Sequence, residues 1–451
     1  MERRQFLQTL GPAALTTAAV AGCAGTDGET SLDNTPIPTD QMTYRTDPHT
    51  GEKISLLGFG CMRYPFRPVG TGENQEELID QEAVNAMIDE AIAHGVNYFD
   101  TSPVYCRGLS ERATGVALSR HKRETFYIAT KMSNMSPAAR SREASLAMYQ
   151  NSFKELKVDY FDYYLIHSVA NYEIFKARYL DNGILDFLLQ EKAAGRIRHL
   201  GWSFHGEKSF FDWMMSPECG VTWDFVQIQL NYLDWLHATG RNVNAEYLYG
   251  VLAKQRVPAV IMEPLLGGRL ARTNYKAQKM LQQARPDKSA ASWAMRFAGS
   301  PEGVLTVLSG MTLPEHLRDN LRSYCPLEPV SEEEKKLLEQ VALTLLEFKT
   351  INCTACDYCM PCPYGLDIPG IFLYYNECLN QGRFPGDKSA PDYARAKRAF
   401  LAGYDRHVPK LRQADMCIGC NLCRPECPQF IPIVDELVNI DKFVESLRRE
   451  G

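Results

Sequence analysis

VNAMIDEAIAHGVNYFDTSPVY, residues 84–105, contains one complete helix-to-strand unit together with the polar residues at its exit. Val84, Met87, Ile88, Ala91 and Ile92 recur at helical spacing, and Gly95 closes the helix. A short apolar run follows at 96–99 and ends in Asp100-Thr101-Ser102-Pro103-Val104-Tyr105. The alternation repeats along the chain. Apolar runs at 54–60, 96–99, 126–129, 160–166, 197–201, 225–230, 259–262 and 304–308 are eight candidate strands. Helical periodicity lies between them, as at Leu146, Tyr149, Phe153 and Leu156. Strands alternating with helices imply right-handed crossovers and a parallel sheet, and eight such units suit a closed barrel better than an open sheet. The expected class is α/β, a (β/α)8 barrel over 42–330. Residues 42–53, with Asp47-Pro48-His49-Thr50-Gly51, read as a turn or hairpin at the barrel floor.

In such a barrel, chemistry sits at the C-terminal ends of the strands. Asp100 and Tyr105 follow the second candidate strand, Lys131 the third, His167 the fourth and Ser203 the fifth. Four ionisable groups therefore converge on one mouth.

Eight of the fourteen cysteines fall in two runs near the C-terminus: Cys353, Cys356, Cys359 and Cys362 before Pro363, and Cys417, Cys420, Cys423 and Cys427 before Pro428. That spacing is the ligand pattern of paired [4Fe-4S] clusters, in which the last cysteine of each run serves the other cluster. Crossed ligation groups Cys353, Cys356, Cys359 and Cys427 against Cys417, Cys420, Cys423 and Cys362. Zinc could use the same thiols, but two runs each closed by Cys-Pro suit cubane clusters better. Residues 371–379 and 392–401 look helical, so 351–451 reads as a small ferredoxin-like domain with a helical insertion, joined to the barrel by a connecting helix over 331–350. The remaining cysteines, such as Cys61, Cys106, Cys219, Cys325 and Cys378, are too scattered for a disulfide framework.

A net charge of −6 over 451 residues, with no basic cluster in the body, argues against nucleic acid. No apolar run is long enough to span a membrane. At the N-terminus, Arg3-Arg4-Gln5-Phe6-Leu7 resembles a twin-arginine export signal over 1–23, and Val20-Ala21-Gly22-Cys23 resembles a lipobox with Cys23 as the lipidated residue. Residues 24–41 read as a flexible tether. These features predict export by the twin-arginine translocase to a periplasmic or membrane-anchored location, which suits a chain that folds around clusters before leaving the cytoplasm.

Tyr98-Phe99-Asp100-Thr101-Ser102 with Tyr105, Ala129-Thr130-Lys131, and Tyr164-Leu165-Ile166-His167 resemble the Asp, Tyr, Lys and His tetrad of aldo-keto reductases, in order and on the right strands. The tail resembles that of the subgroup with a C-terminal ferredoxin module. The resemblance implies NAD(P)-dependent interconversion of a small carbonyl and an alcohol. Tyr105 is then the acid that protonates the developing alkoxide, Lys131 lowers its pKa with Asp100 as partner, and His167 orients the substrate oxygen. It also implies that Ser203, Gln227 and Asn231 meet the nicotinamide, that Gly267 and Gly268 in Glu263-Pro264-Leu265-Leu266-Gly267-Gly268 approach the pyrophosphate, and that Ser309, Gly310 and Asn320 hold the adenosine end. Departures are Phe204 and Met262 near the nicotinamide, and Gly310 and His316 where a 2′-phosphate clamp is usual, leaving Arg318 as a substitute.

Hydride moves two electrons together, whereas each cluster accepts one, and no flavin motif bridges them. Three functions remain open on the sequence: a carbonyl reductase or alcohol dehydrogenase linked to a two-cluster module, an electron-transfer subunit whose barrel is a docking scaffold for a redox partner protein, and a structural lipoprotein. Trp202 and Trp235 are candidates for lining the substrate pocket.

Overall fold

The computed structural model describes residues 36–70, 76–240 and 242–450. The expected signal over 1–23, Cys23 and most of the 24–41 tether lie outside them. Eight strands close the barrel: β1 Leu57–Gly60, β2 Tyr98–Asp100, β3 Tyr127–Met132, β4 Phe161–Val169, β5 Ile197–Phe204, β6 Phe225–Gln229, β7 Ala259–Met262 and β8 Val304–Gly310. Every neighbouring pair is parallel, with β8 against β1 and β5 against β6 completing the ring. This is the (β/α)8 arrangement that the alternation predicts. Parallel strands covered by helices on the outside and side chains within are apolar on both faces, so the runs read as continuous rather than alternating.

The helix between β1 and β2, Gln81–Ala93, starts where the Asp80 carboxylate accepts from Ala83 N at 3.2 Å. It buries Val84, Met87, Ile88 and Ala91, four of the five residues of the apolar stripe. The helix Ser110–Leu118 lies so close to its successor, Arg142–Leu156, that a Cβ on Gly115 would stand 2.1 Å from the Glu155 carbonyl oxygen.

One candidate strand divides. Residues 54–60 do not form a single strand, because Lys53–Ser55 pairs antiparallel with Tyr44–Thr46 and β1 begins only at Leu57. The break is satisfied locally: Ser55 Oγ donates to Leu57 O at 2.7 Å, and Ser55 N donates to Asn97 Oδ1 at 2.8 Å. Asp47 Oδ1 accepts from His49 N and Thr50 N to make the hairpin turn. Ile54 on this hairpin is fully buried among Tyr98, Ala129, Tyr163 and Leu165, and so plugs the barrel interior from below.

Strands β3, β4, β5 and β8 run past the ends of their apolar stretches, to Met132, Val169, Phe204 and Gly310. Lys131, His167 and Ser203 are thus members of strands rather than of loops, which gives their side chains fixed directions.

After the barrel, Glu332–Leu346 opens with a capping box between Ser331 and Glu334. The buried Arg296 ties this helix to the barrel, donating to Glu334 Oε2 at 2.8 Å and to Glu328 O at 2.8 Å. The C-terminal helices Ile368–Asn380, Tyr393–His407 and Ile433–Arg449 have their own core, in which Ile371, Phe372, Phe400, Leu437 and Ile440 are buried. Barrel and C-terminal region belong to one compact unit. Among the described residues no helix is long and apolar enough to cross a membrane.

Because the contact at Gly115 is with backbone, which cannot swing aside, Gly115→Ala is expected to destabilise the barrel by about 1–3 kcal/mol. Chemical denaturation checks this through a lower midpoint at an unchanged slope.

Candidate active site and its cover

Lys131 on β3 and Asp100 at the end of β2 are both buried, and the ammonium has no exposure at all. Lys131 Nζ donates to Asp100 Oδ1 at 2.5 Å and to Thr101 O at 2.8 Å. Burial pushes the carboxyl up and the ammonium down, and their mutual attraction opposes both shifts. Tyr105 follows in a tight turn whose next residues, Cys106 and Arg107, take left-handed φ of 51° and 58°. Such strain persists only where the surroundings impose it. Here Cys106 Sγ donates to Met62 O at 3.3 Å, and Ser110 Oγ donates to Cys61 O at 2.7 Å. The turn brings the Tyr105 ring centroid to 4.7 Å from Lys131 Nζ.

His167 on β4 packs its ring edge-on to Tyr105, centroids 5.8 Å apart. Its Nδ1 lies 2.6 Å from Ser133 Oγ, which also contacts Ser102 Oγ, so Nε2 is left to face the mouth. Burial, then Lys131 and Arg178, hold His167 well below its ordinary pKa, and the ring is neutral. The structure therefore brings Asp100, Tyr105, Lys131 and His167 together. Burial also lifts Tyr105 well above the ordinary tyrosine value, outweighing the lowering expected from Lys131.

The C-terminal region also reaches this mouth. Tyr358, between Cys356 and Cys359, puts its hydroxyl 3.4 Å from His167 Nε2 and lies within electrostatic reach of Tyr105. Arg63, after β1, donates to Ala355 O at 3.0 Å and to Thr354 O. Gln429 donates to Gln229 Oε1 at 3.3 Å and to Glu263 Oε2 at 3.2 Å. Arg269 donates to Asn352 Oδ1 and Thr350 Oγ1. Two parts of the tail, residues 350–358 and Gln429, are thus fastened across the ends of several barrel strands.

The remaining candidates divide. Ser203 and Gln227 are register partners on β5 and β6, and Gln227 Oε1 is buried without a partner. Ser203 Oγ accepts from Ser168 N at 2.8 Å. Asn231 is spent internally: Oδ1 accepts from Leu233 N and Asp234 N, and Nδ2 donates to Asp234 and to Glu263 O. Ser309 and Asn320 are buried and bonded to each other at 2.8 Å, and Gly310 packs against the Arg63 side chain. Gly267 has φ of 66°, and a Cβ there would meet Thr354 O at 2.3 Å; Gly268 faces open space. Arg318 pairs with Glu90 at 2.7 Å. Trp202 is core, among Phe204, Phe211 and Trp223, and Trp235 packs on Tyr249 and Phe297.

Cys353, Cys356, Cys359 and Cys427 line one cleft with Ile368 and Phe372. Cys423 lies within electrostatic reach of Cys417, Cys420 and Cys362. No described cysteine is in a disulfide. Among the described residues no group of His, Cys, Asp or Glu is gathered tightly enough to hold a single metal ion.

A family model described as the aldo/keto reductase family matches residues 57–342. The chain belongs to this family. The match ends within the helix that follows the barrel, leaving both cysteine runs outside it. An uncharacterized oxidoreductase of Bacillus subtilis, YqkF, is 24% identical over 310 residues, 63% of this chain and 92% of that protein. The NADH-specific methylglyoxal reductase of Escherichia coli is 24% identical over 308 residues, 59% of this chain and 89% of that protein. The holo form of an aldo-keto reductase from Bacillus halodurans superposes with a TM-score of 0.53 at 22% identity, covering 66% of this chain and 96% of that one. This enzyme therefore has the oxidoreductase barrel of its family, carrying a C-terminal extension.

Sequence reasoning missed Tyr358, Arg63, Thr354 and Gln429. Tyr358 sits inside a cysteine run 191 residues from His167, and nothing local marks it as facing the barrel.

Beside the tetrad, Glu111 accepts from Thr130 Oγ1 at 2.5 Å, and burial pushes its carboxyl up to about 7. The folded chain keeps a proton there that the unfolded chain releases near 4.5. This group's contribution therefore falls as pH rises from about 4.5 through 7. Glu111→Gln is expected to match the parent in stability near pH 5 and to exceed it by on the order of 3 kcal/mol at pH 8. Denaturation midpoints at the two pH values check it, and a pH-independent difference contradicts it.

Proposed function

We propose that this chain interconverts a small carbonyl compound and its alcohol, with Tyr105 as the proton donor and acceptor. The reading is carried by one observation: a tyrosine hydroxyl and a neutral His167 Nε2 face the same mouth, with a buried Lys131–Asp100 pair beneath the tyrosine. A carbonyl oxygen gaining charge needs a proton from one side and a hydrogen bond from another, in a site that excludes water. Lys131 favours transient phenolate character at Tyr105, and Asp100 keeps Lys131 charged where burial alone would neutralise it. Ser133 and Ser102 fix the imidazole so that the hydrogen bond from Nε2 has a set direction.

NAD(P)(H) is the hydride carrier in this reading, and the name of the methylglyoxal reductase points the same way. It supplies two electrons as hydride. The residues divide on it. The unpartnered Gln227 Oε1 beside Ser203 suits a carboxamide. The glycine loop after β7 does not suit a pyrophosphate, because Thr354 already fills its face.

The two cysteine sets are read as ligands of two [4Fe-4S] clusters with crossed ligation. Support comes from the Cys353, Cys356, Cys359 and Cys427 cleft, and from the Ala355 backbone amide, which donates to Cys353 Sγ at 3.4 Å. A four-iron cubane spreads its ligands more widely than a single ion does. Clusters held by these cysteines would supply one-electron transfer to or from a redox partner protein. Export by the twin-arginine route, with Cys23 as lipid anchor, completes the reading and rests on Arg3-Arg4 and Cys23 alone. A second reading, an electron-transfer subunit with the barrel as scaffold, is favoured by the covering of the mouth.

Tyr105→Phe is expected to lower turnover of small aldehydes with NADPH or NADH by roughly 10²–10⁴-fold while leaving the fold intact. Turnover that survives this change contradicts the role given to Tyr105, and absence of turnover in the parent favours the scaffold reading. Cys427→Ala is expected to remove the cluster of the Cys353 set and spare the other. Iron content falling by half, with one reduced-cluster signal left in electron paramagnetic resonance, checks the crossed pairing.

A further inference from the structure

Two features of the mouth belong to the same short segment of the tail. The Tyr358 hydroxyl lies 3.4 Å from His167 Nε2 and within electrostatic reach of Tyr105. A carbonyl oxygen undergoing reduction would need those same two partners, an acid on one side and the imidazole on the other. Four residues earlier, Thr354 stands against Gly267 with its backbone where a Cβ would be, and Arg63 fastens the Thr354 and Ala355 carbonyls in place. Gln429, two residues after Cys427, adds a third anchor on Glu263 and Gln229. The oxygen position and the glycine face are therefore both filled from residues 354–358, which also carry the cluster ligand Cys356.

We propose that residues 354–358 are an intrachain occupant of the reductase site: the Tyr358 hydroxyl takes the place of the substrate oxygen, and the Thr354–Ala355 backbone takes the face offered to the dinucleotide phosphates. The proposal rests on the NAD(P) reading given above. Docking of this segment and filling of the site by dinucleotide and carbonyl exclude each other. A ligand that binds only when the segment lifts has its apparent affinity reduced by the fraction of chains in that state. Binding in turn shifts the segment that carries Cys356 and lies between Cys353 and Cys359, so occupancy of the barrel is reported to that set.

The test uses the full chain, purified anaerobically with its clusters. NADPH is titrated by fluorescence against the parent, Tyr358→Ala and Arg63→Ala, and hydrogen exchange of residues 354–358 is followed in the parent with and without NADPH. Both variants are expected to bind NADPH roughly tenfold tighter or better, and saturating NADPH is expected to speed exchange in this segment. Equal affinity in all three proteins, with exchange unchanged or slowed, overturns the proposal and leaves the NAD(P) reading standing. Absence of binding of NADPH and NADH to all three overturns both. If a variant loses its clusters, exchange in the parent decides.

Discussion

A charged lysine with no exposure is tolerable only when a carboxylate meets it, and the contact between Lys131 and Asp100 sets the geometry of the mouth. It joins the ends of β2 and β3, and the backbone of Thr101 accepts from the same ammonium. The chain leaving β2 is thereby committed to the strained turn at Cys106 and Arg107 that carries Tyr105 back over the pair. His167, on the next strand, is held neutral by the same buried positive charge and by lack of water. The pair is thus an electrostatic foundation as well as a structural one. Replacing either partner alone would strand a charge in the barrel and unsettle every group above it.

What lies over this foundation is contributed by the tail. Arg63, Arg269 and Gln429 fasten it across three strand exits, and Tyr358 completes the hydrogen bonding of His167. The first cysteine set and the tetrad are consequently neighbours, whereas in sequence they are separated by the rest of the barrel. This proximity addresses the mismatch between hydride chemistry and single-electron carriers in spatial terms. If clusters fill the two cysteine sets, one of them stands at the mouth of the reductase site, and its ligand loop is part of the site's wall.

The barrel was legible because its strands are apolar on both faces and its helices carry clean stripes, so period alone separated them. The ends of the strands were less legible. Lys131, His167 and Ser203 remain in their strands, and a polar side chain interrupts an apolar run without breaking a ladder. The floor hairpin was visible as a turn at Asp47, but Ser55 and Asn97 satisfy the backbone break at residues 55–57 through contacts that no local pattern contains. The tetrad was readable because four residue types recur at fixed strand ends. Asn231 and Ser309 fell at suitable positions, yet they bond inward. The covering segment was not readable at all: its contacts with Arg63, Gly267 and His167 span long stretches of chain, and only the folded molecule brings them together.

The barrel mouth and the first cysteine set form one site in this reading. Electron paramagnetic resonance of the reduced chain, recorded with and without saturating NADP(H), addresses it most directly. A signal from a cluster on Cys353, Cys356, Cys359 and Cys427 is expected to change on binding while that from the other set does not. Signals that both stay unchanged with nucleotide bound, or that change equally, would contradict it.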